Sequence, residues 1–356
     1  MIVAEIHEEH GAAHTERGGR RVVADYGRPE RTHLAVRNGV GVIEHPVDVL
    51  AVTGEDRHDF VDDAVSNRVP EGDGAGVYAL LLDPQGGVET DMYVFAAGER
   101  LLVLVPPGRG EWLAEEWRSK TFIQDVEIDL LTGELGVFGV HGPQATEKIA
   151  SVFSEGTPDE QLTFVRGSMG DAGVTVVRTD APTGEEGYLV VCEAADAADV
   201  FGSLETRGLN AVPFGDRTWE TLTLEAGTPL YESELAGEVP NVLGIRNALD
   251  FEKGCYVGQE VVSRVENRGR PSRRLVGLET EAVPERGAAV FAGDEAVGEV
   301  TRAAETPSAD RPIALALVGY DATPETVRVG GAEVAVERVA LPFVEGSEWS
   351  ARLPSY

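Results

Sequence analysis

One pattern occurs twice in this 356-residue chain, and it limits the folds open to it. Leu50-Ala51-Val52-Thr53-Gly54 leads into Glu55-Asp56-Arg57-His58-Asp59-Phe60-Val61, and Val137-Phe138-Gly139-Val140-His141-Gly142 leads into Pro143-Gln144-Ala145-Thr146-Glu147-Lys148-Ile149. In each, an apolar run ends at a glycine and a helix-like segment follows, with Pro143 placed for a first helical turn. Two related α+β units are expected. Between them the apolar runs 77–82, 88–96 and 101–105 are separated by turn-forming Asp83-Pro84-Gln85-Gly86-Gly87 and Ala97-Gly98-Glu99-Arg100, which predicts an antiparallel meander. A helix over 110–119 should bury Trp112, Leu113 and Trp117, and a second α+β stretch should run through 173–177, 188–192 and a helix near 196–206. After Arg274 the texture changes to short β-rich runs punctuated by turns, as in a small barrel or sandwich.

Hydrophobic residues make up 42% of the chain, enough for a large core and two or three domains. Acidic residues number 62 against 30 basic ones, and the net charge of −32 is spread along the chain. That excludes a bare nucleic-acid binder. Only Lys120, Lys148 and Lys253 are lysines. Acidity with lysine avoidance reads as adaptation to high salt, where dense carboxylates keep a surface hydrated. No run of 18 apolar residues is present and the N-terminus turns acidic at Glu5, so a cytoplasmic protein with no membrane partner is expected. Cys192 and Cys255 supply neither a disulfide framework nor paired metal-site spacing, and a protein-borne iron-sulfur cluster needs about four cysteines. His7, His10 and His14 lack the spacing of a zinc-protease helix, and no metal is expected.

The richest stretch for chemistry is Lys253-Gly254-Cys255-Tyr256-Val257-Gly258-Gln259-Glu260, followed by Arg264, Arg268, Arg270, Arg273 and Arg274. A lysine and a helix beginning at Gln259 would both favour a thiolate at Cys255, although a small buried cysteine in a glycine-rich turn fits the same residues. Lys253, in a chain that avoids lysine, favours the functional reading. The arginines either bind an anion or neutralise the protein's own acidic surface at a domain interface. Asp91, following the turn at Gly86-Gly87, offers a carboxylate for a heterocycle's amine-rich edge or for proton transfer.

Together these stretches resemble the folate-binding superfamily of the glycine-cleavage T-protein. The run from Lys253 to Glu260 is similar to the K-G-C-Y-x-G-Q-E signature of its YgfZ-type branch, and the composition to a haloarchaeal-like form of it. Leu81-Leu82-Asp83-Pro84-Gln85-Gly86-Gly87-Val88, Gly142-Pro143-Gln144-Ala145, Thr183-Gly184-Glu185-Glu186-Gly187-Tyr188 and Leu224-Glu225-Ala226-Gly227 resemble the wider superfamily. The resemblance implies an α+β fold of two intertwined domains, 1–48 with 130–268 and 49–129, plus a C-terminal β-barrel over 269–356, around a central folate pocket. It implies tetrahydrofolate or a related reduced pterin as cofactor. By position Asp91 matches the family's pterin-contacting aspartate, and the local positive charge, not the family, makes Arg264, Arg268 and Arg270 expected contacts for the folate's glutamate end; Tyr188 and Gln259 are further expected contacts, and Cys255, Lys253 and Asp91 the expected catalytic groups. Iron-sulfur client or assembly proteins are the implied partners, and support of cluster assembly or repair the implied function. Three positions depart from the T-protein pattern: Leu189 and Trp219 stand where it has a glutamate and an arginine, and Pro106-Pro107 where an asparagine is usual. The alternatives are an aminomethyltransferase or related one-carbon transferase, and a non-catalytic scaffold.

Overall fold

The computed structural model describes all residues from Met1 to Tyr356. Two antiparallel-dominated sheets and a closed barrel carry the architecture. The six-stranded sheet has the spatial order Phe164–Met169, Ala172–Arg178, Gly187–Glu193, Leu135–His141, Gly41–Glu44 and Val212–Pro213. The five-stranded sheet has the order Gly76–Leu82, Val88–Ala97, Arg100–Val105, Asp48–Thr53 and Glu127–Leu130, so its first three strands form the expected meander. Six strands between Arg273 and Val339 close the barrel.

Both repeats of the strand–glycine–helix pattern are present. Strand Asp48–Thr53 passes through Gly54 into helix Arg57–Ala64, and strand Leu135–His141 through Gly142 into helix Ala145–Val152. Each glycine has positive φ, +102° and +123°. A Cβ would also strike backbone at both, 2.0 Å from the Asp125 carbonyl oxygen and 2.6 Å from that of Gly39, so no other residue fits either turn. Pro143 lies just outside its helix, which begins after Gln144 rather than at the proline.

The apolar runs are continuous because both sheet faces are buried. Along strand Arg100–Val105, Leu101, Val103 and Val105 pack on the helices Arg57–Ala64 and Gly110–Arg118, with Trp117 wholly enclosed. Leu102 and Leu104 point the other way, to Val137, Val177 and Leu189 of the second sheet. The two sheets thus meet face to face. The barrel keeps its own interior of Leu278, Val290, Val300 and Val318, and presses Leu275, Ile313, Leu315 and Leu317 against Tyr78, Leu80 and Leu82. No helix is long and apolar enough to cross a membrane.

The three N-terminal histidines do not share a helical face. The helix stops at Glu9 and His14 lies in strand Ala13–Arg17. His7 is buried, with Nε2 2.9 Å from Glu44 Oε2 and Nδ1 2.8 Å from the Tyr26 hydroxyl, and fastens the N-terminal helix to the six-stranded sheet.

Candidate active site

A cavity of about 110 Å³ lies where the two sheets, the helix Asp216–Glu225 and the C-terminal tail converge. Strand Val88–Ala97 brings Asp91 and Tyr93 to it on one face, and cross-strand pairing sets Tyr78 opposite Tyr93. Arg352 enters from the tail. Arg17 and Glu232 are also on the wall, as are His45, His141, Thr179, Leu189 and Trp219 from the side of the six-stranded sheet.

Asp91 is enclosed, and its two oxygens differ. Oδ2 accepts a 2.8 Å hydrogen bond from the Tyr78 hydroxyl, whereas Oδ1 is buried with no partner. Burial pushes the Asp91 carboxyl above its ordinary range, against the opposing pull of Arg352 and the Tyr78 hydroxyl. The Arg352 guanidinium is itself buried. It donates to the Tyr93 hydroxyl at 2.8 Å, while Tyr93 donates to Asp180 Oδ1 at 2.6 Å. Arg352 Nε is 2.9 Å from Asp180 Oδ2 and Nη1 3.9 Å from Asp91 Oδ2. Burial works against its charge, but the adjoining carboxylate of Asp180, then the tyrosines and Asp91, raise its pKa well above the usual value. One fixed cation therefore serves two acids. Asp180 has the closer contact with Arg352, leaving Asp91 the less closely paired carboxyl.

Of the expected site residues, only Asp91 lines this cavity. Tyr188 is adjacent in sequence to a lining residue but on the wrong face: its hydroxyl pairs with Thr146 Oγ1 at 2.8 Å inside the helix-side core, and strand alternation presents Leu189 instead. Gln259, Arg264, Arg268 and Arg270 belong to the helix Gln259–Asn267 and the turn after it, away from the cavity wall. Much of the arginine charge is met locally, by Glu260 for Arg264, Asp321 for Arg270 and Glu238 for Arg273. Arg264, Arg270 and Arg273 thus neutralise acids of the protein's own surface, and neither they nor Arg268 lines this cavity.

The bonds of Lys253 are made away from Cys255. Its ammonium is buried under the C-terminal end of helix Arg57–Ala64, where it donates to the carbonyls of Asp62, Val65 (2.9 Å) and Asn67 (3.0 Å) and pairs with Asp62 Oδ1 at 3.3 Å. Lys148 does the same for helix Ala197–Thr206, donating to the carbonyls of Ser203 and Arg207. Two of the three lysines are thus retained where a compact three-donor ammonium caps helix carbonyls, a task the wide planar guanidinium fits poorly. Lys253→Ala should cost about 3 kcal/mol of stability by leaving those carbonyls and Asp62 unpaired, read by urea unfolding. Cys255 is exposed, in the loop before helix Gln259–Asn267. Gly258, at φ +79°, starts that helix against the turn at Asp83, where a Cβ would come within 2.6 Å of the Asp83 carbonyl oxygen.

Tyr78, Tyr93, Asp180, Arg352, His45 and His141 were not expected here from the sequence. Asp91 and Tyr93 share a face by strand period, which was a usable signal. Arg352 had none, because only the return of the tail across the barrel brings it 274 residues back to Tyr78.

Residues 3–253 match the description "GCVT N-terminal domain" and residues 273–345 the "Glycine cleavage T-protein C-terminal barrel domain". Curated relatives include the aminomethyltransferase of Streptomyces avermitilis, 31% identical over 95% of each chain. That of Saccharopolyspora erythraea is 30% identical over 95% of this chain and 96% of its own. The solved glycine cleavage system aminomethyltransferase T of Bartonella henselae superposes with a TM-score of 0.87 at 22% identity, covering 97% of this chain and 98% of its own, and supports the fold. The two domain matches, which together span most of the chain, and relatives 30–31% identical over nearly its whole length place it in the glycine-cleavage T-protein family.

Proposed function

We propose that the central cavity binds tetrahydrofolate or a related reduced pterin and supports one-carbon transfer of the aminomethyltransferase class. The observation that carries this is Asp91: a buried carboxyl with one oxygen fixed by Tyr78 and the other an orphaned acceptor facing no partner. A reduced pterin supplies ring N–H donors and a nucleophilic amine. Asp91, as the carboxylate stabilised by Arg352, would accept one N–H at Oδ1 and take the amine's proton as its nitrogen bonds to the methylene carbon of an aminomethyl donor and that carbon's bond to its leaving group breaks. Trp219, Pro106 and Pro107 would exclude water around the ring. Leu189 and Trp219, lacking the charges of the T-protein pattern, leave the six-stranded-sheet side of the cavity neutral and aromatic.

A second reading is favoured by Cys255. An exposed thiol in a Lys-Gly-Cys-Tyr-Val-Gly-Gln-Glu run supports the YgfZ-type role, maintenance of iron-sulfur clusters in client proteins, with the folate cavity kept as a separate site. The acid excess and the scarcity of lysine support a cytoplasmic, salt-adapted, haloarchaeal-like form. The two readings separate on one substitution. Cys255→Ala should leave tetrahydrofolate-dependent release of ammonia from an aminomethyl-lipoyl carrier unchanged if the first holds. If the second holds, no such release occurs in either form, and Cys255→Ala loses the ability to restore activity to an iron-sulfur enzyme in a null strain.

A further inference from the structure

Two histidines on the cavity wall take no part in the Asp91 network. His45 follows strand Gly41–Glu44 and His141 ends strand Leu135–His141, and their Nε2 atoms stand 3.2 Å apart. Both rings lie against Trp219, with centroids at 4.7 and 5.2 Å. The space for them is built in. A Cβ on Gly139 would fall 2.4 Å from His45 Nε2 and 2.5 Å from His141 Nε2, and one on Gly187 would fall 2.7 Å from His141 Nδ1. Burial holds both imidazoles neutral, His141 down to about 3.

Neutrality fixes the tautomers. One proton lies between the two Nε2 atoms, and its owner decides what the remaining nitrogens carry. Were His45 the donor, His141 would bear its proton on Nδ1, an atom that is buried and has no hydrogen-bond partner. An orphaned buried N–H is rarer than an orphaned acceptor. His141 therefore donates through Nε2–H and leaves Nδ1 as a bare lone pair. His45 accepts at Nε2 and carries its proton on Nδ1, which has no acceptor within the chain, on a half-buried ring that lines the cavity.

We propose that His45 is a specificity-determining residue of this cavity: held in one tautomer by His141, it offers an N–H to a neutral acceptor on the ligand, the ring carbonyl of an oxo-substituted heterocycle. His141 is the positioning residue. The inference rests on the reading of the cavity as a reduced-pterin site and adds which edge of the ring the six-stranded sheet side selects. A ring with an amino group in place of that carbonyl brings a donor to a donor and is rejected.

Calorimetric titration of tetrahydrofolate and of its 4-amino analogue, tetrahydroaminopterin, tests this. The wild type should prefer the oxo ring by at least about tenfold, the worth of one hydrogen bond. His45→Leu should lose that preference, as should His141→Leu, while His141→Gln, whose amide can still donate to His45 Nε2, should keep it. Wild type that binds both ligands equally, or His45→Leu that keeps the preference, overturns the inference and leaves the pterin site standing. Failure of the wild type to bind either ligand overturns both.

Discussion

Asp91→Asn is expected to weaken tetrahydrofolate binding by about ten- to a hundredfold, the range of a hydrogen bond to a charged group, and at the same time to make the protein more stable at neutral pH. The two effects share one cause. Burial raises the folded-state pKa of Asp91, so in the window between the ordinary carboxylate pKa and that raised value the native protein holds a proton that the unfolded chain has lost. Stability contributed by this group is therefore present at low pH and falls as pH rises through the window. Asparagine does not titrate, can accept the Tyr78 hydroxyl as before, and leaves Arg352 its contact with Asp180. The variant's unfolding temperature should lose less than the wild type's as pH rises, with equilibrium dialysis reporting the binding loss. A parallel decline in both forms would show that the carboxyl is not held at a stability cost.

Arg302→Ala should destabilise the protein by about 3–5 kcal/mol, the cost of removing one partner of a buried ion pair. A bulge between Val300 and Arg302 interrupts the ladder of barrel strand Glu295–Ala304 and turns this arginine out of the barrel. There its Nε bonds Glu234 at 3.0 Å, Nη1 the Thr223 hydroxyl at 3.0 Å and Nη2 the Thr228 carbonyl at 2.6 Å. Glu234 in turn caps the backbone N–H of Leu230 at 2.9 Å, and Leu230, Tyr231 and Glu232 wall the cavity. Loss of the guanidinium strands a buried carboxylate and loosens that wall. Guanidinium chloride unfolding should show the stability loss, and ligand affinity should fall with it, although Arg302 does not line the cavity.

The fold was legible wherever a local rule acted alone. Positive φ at Gly54 and Gly142 follows from strand–glycine–helix patterning, the meander from the turns at Asp83 to Gly87 and Ala97 to Arg100, and the barrel from its short, evenly punctuated strands. Of the candidate cavity only Asp91 was legible, because a turn followed by a strand marks the position of its carboxylate. Elsewhere the sequence showed residue types without their partners. Lys253 stood out as a rare lysine beside a cysteine, but rarity cannot distinguish a tuned thiol from a helix cap 191 positions away at Asp62. The arginine run read as a charge excess, but beyond Glu260 its acids are Glu238 and Asp321, outside any local window. Tyr188 and Leu189 show how a shift of one residue in strand phase exchanges a cavity wall for a core. Arg352, Asp180 and the His45–His141 pair depend wholly on long-range closure.

Calorimetric titration of tetrahydrofolate into the wild-type protein at molar salt tests most directly whether the cavity around Asp91 is a reduced-pterin site. Saturable binding of one ligand per chain, blocked by a bulky Thr179→Trp substitution on the cavity wall, is the predicted result. No heat of binding, or binding that the filled cavity does not reduce, would contradict it.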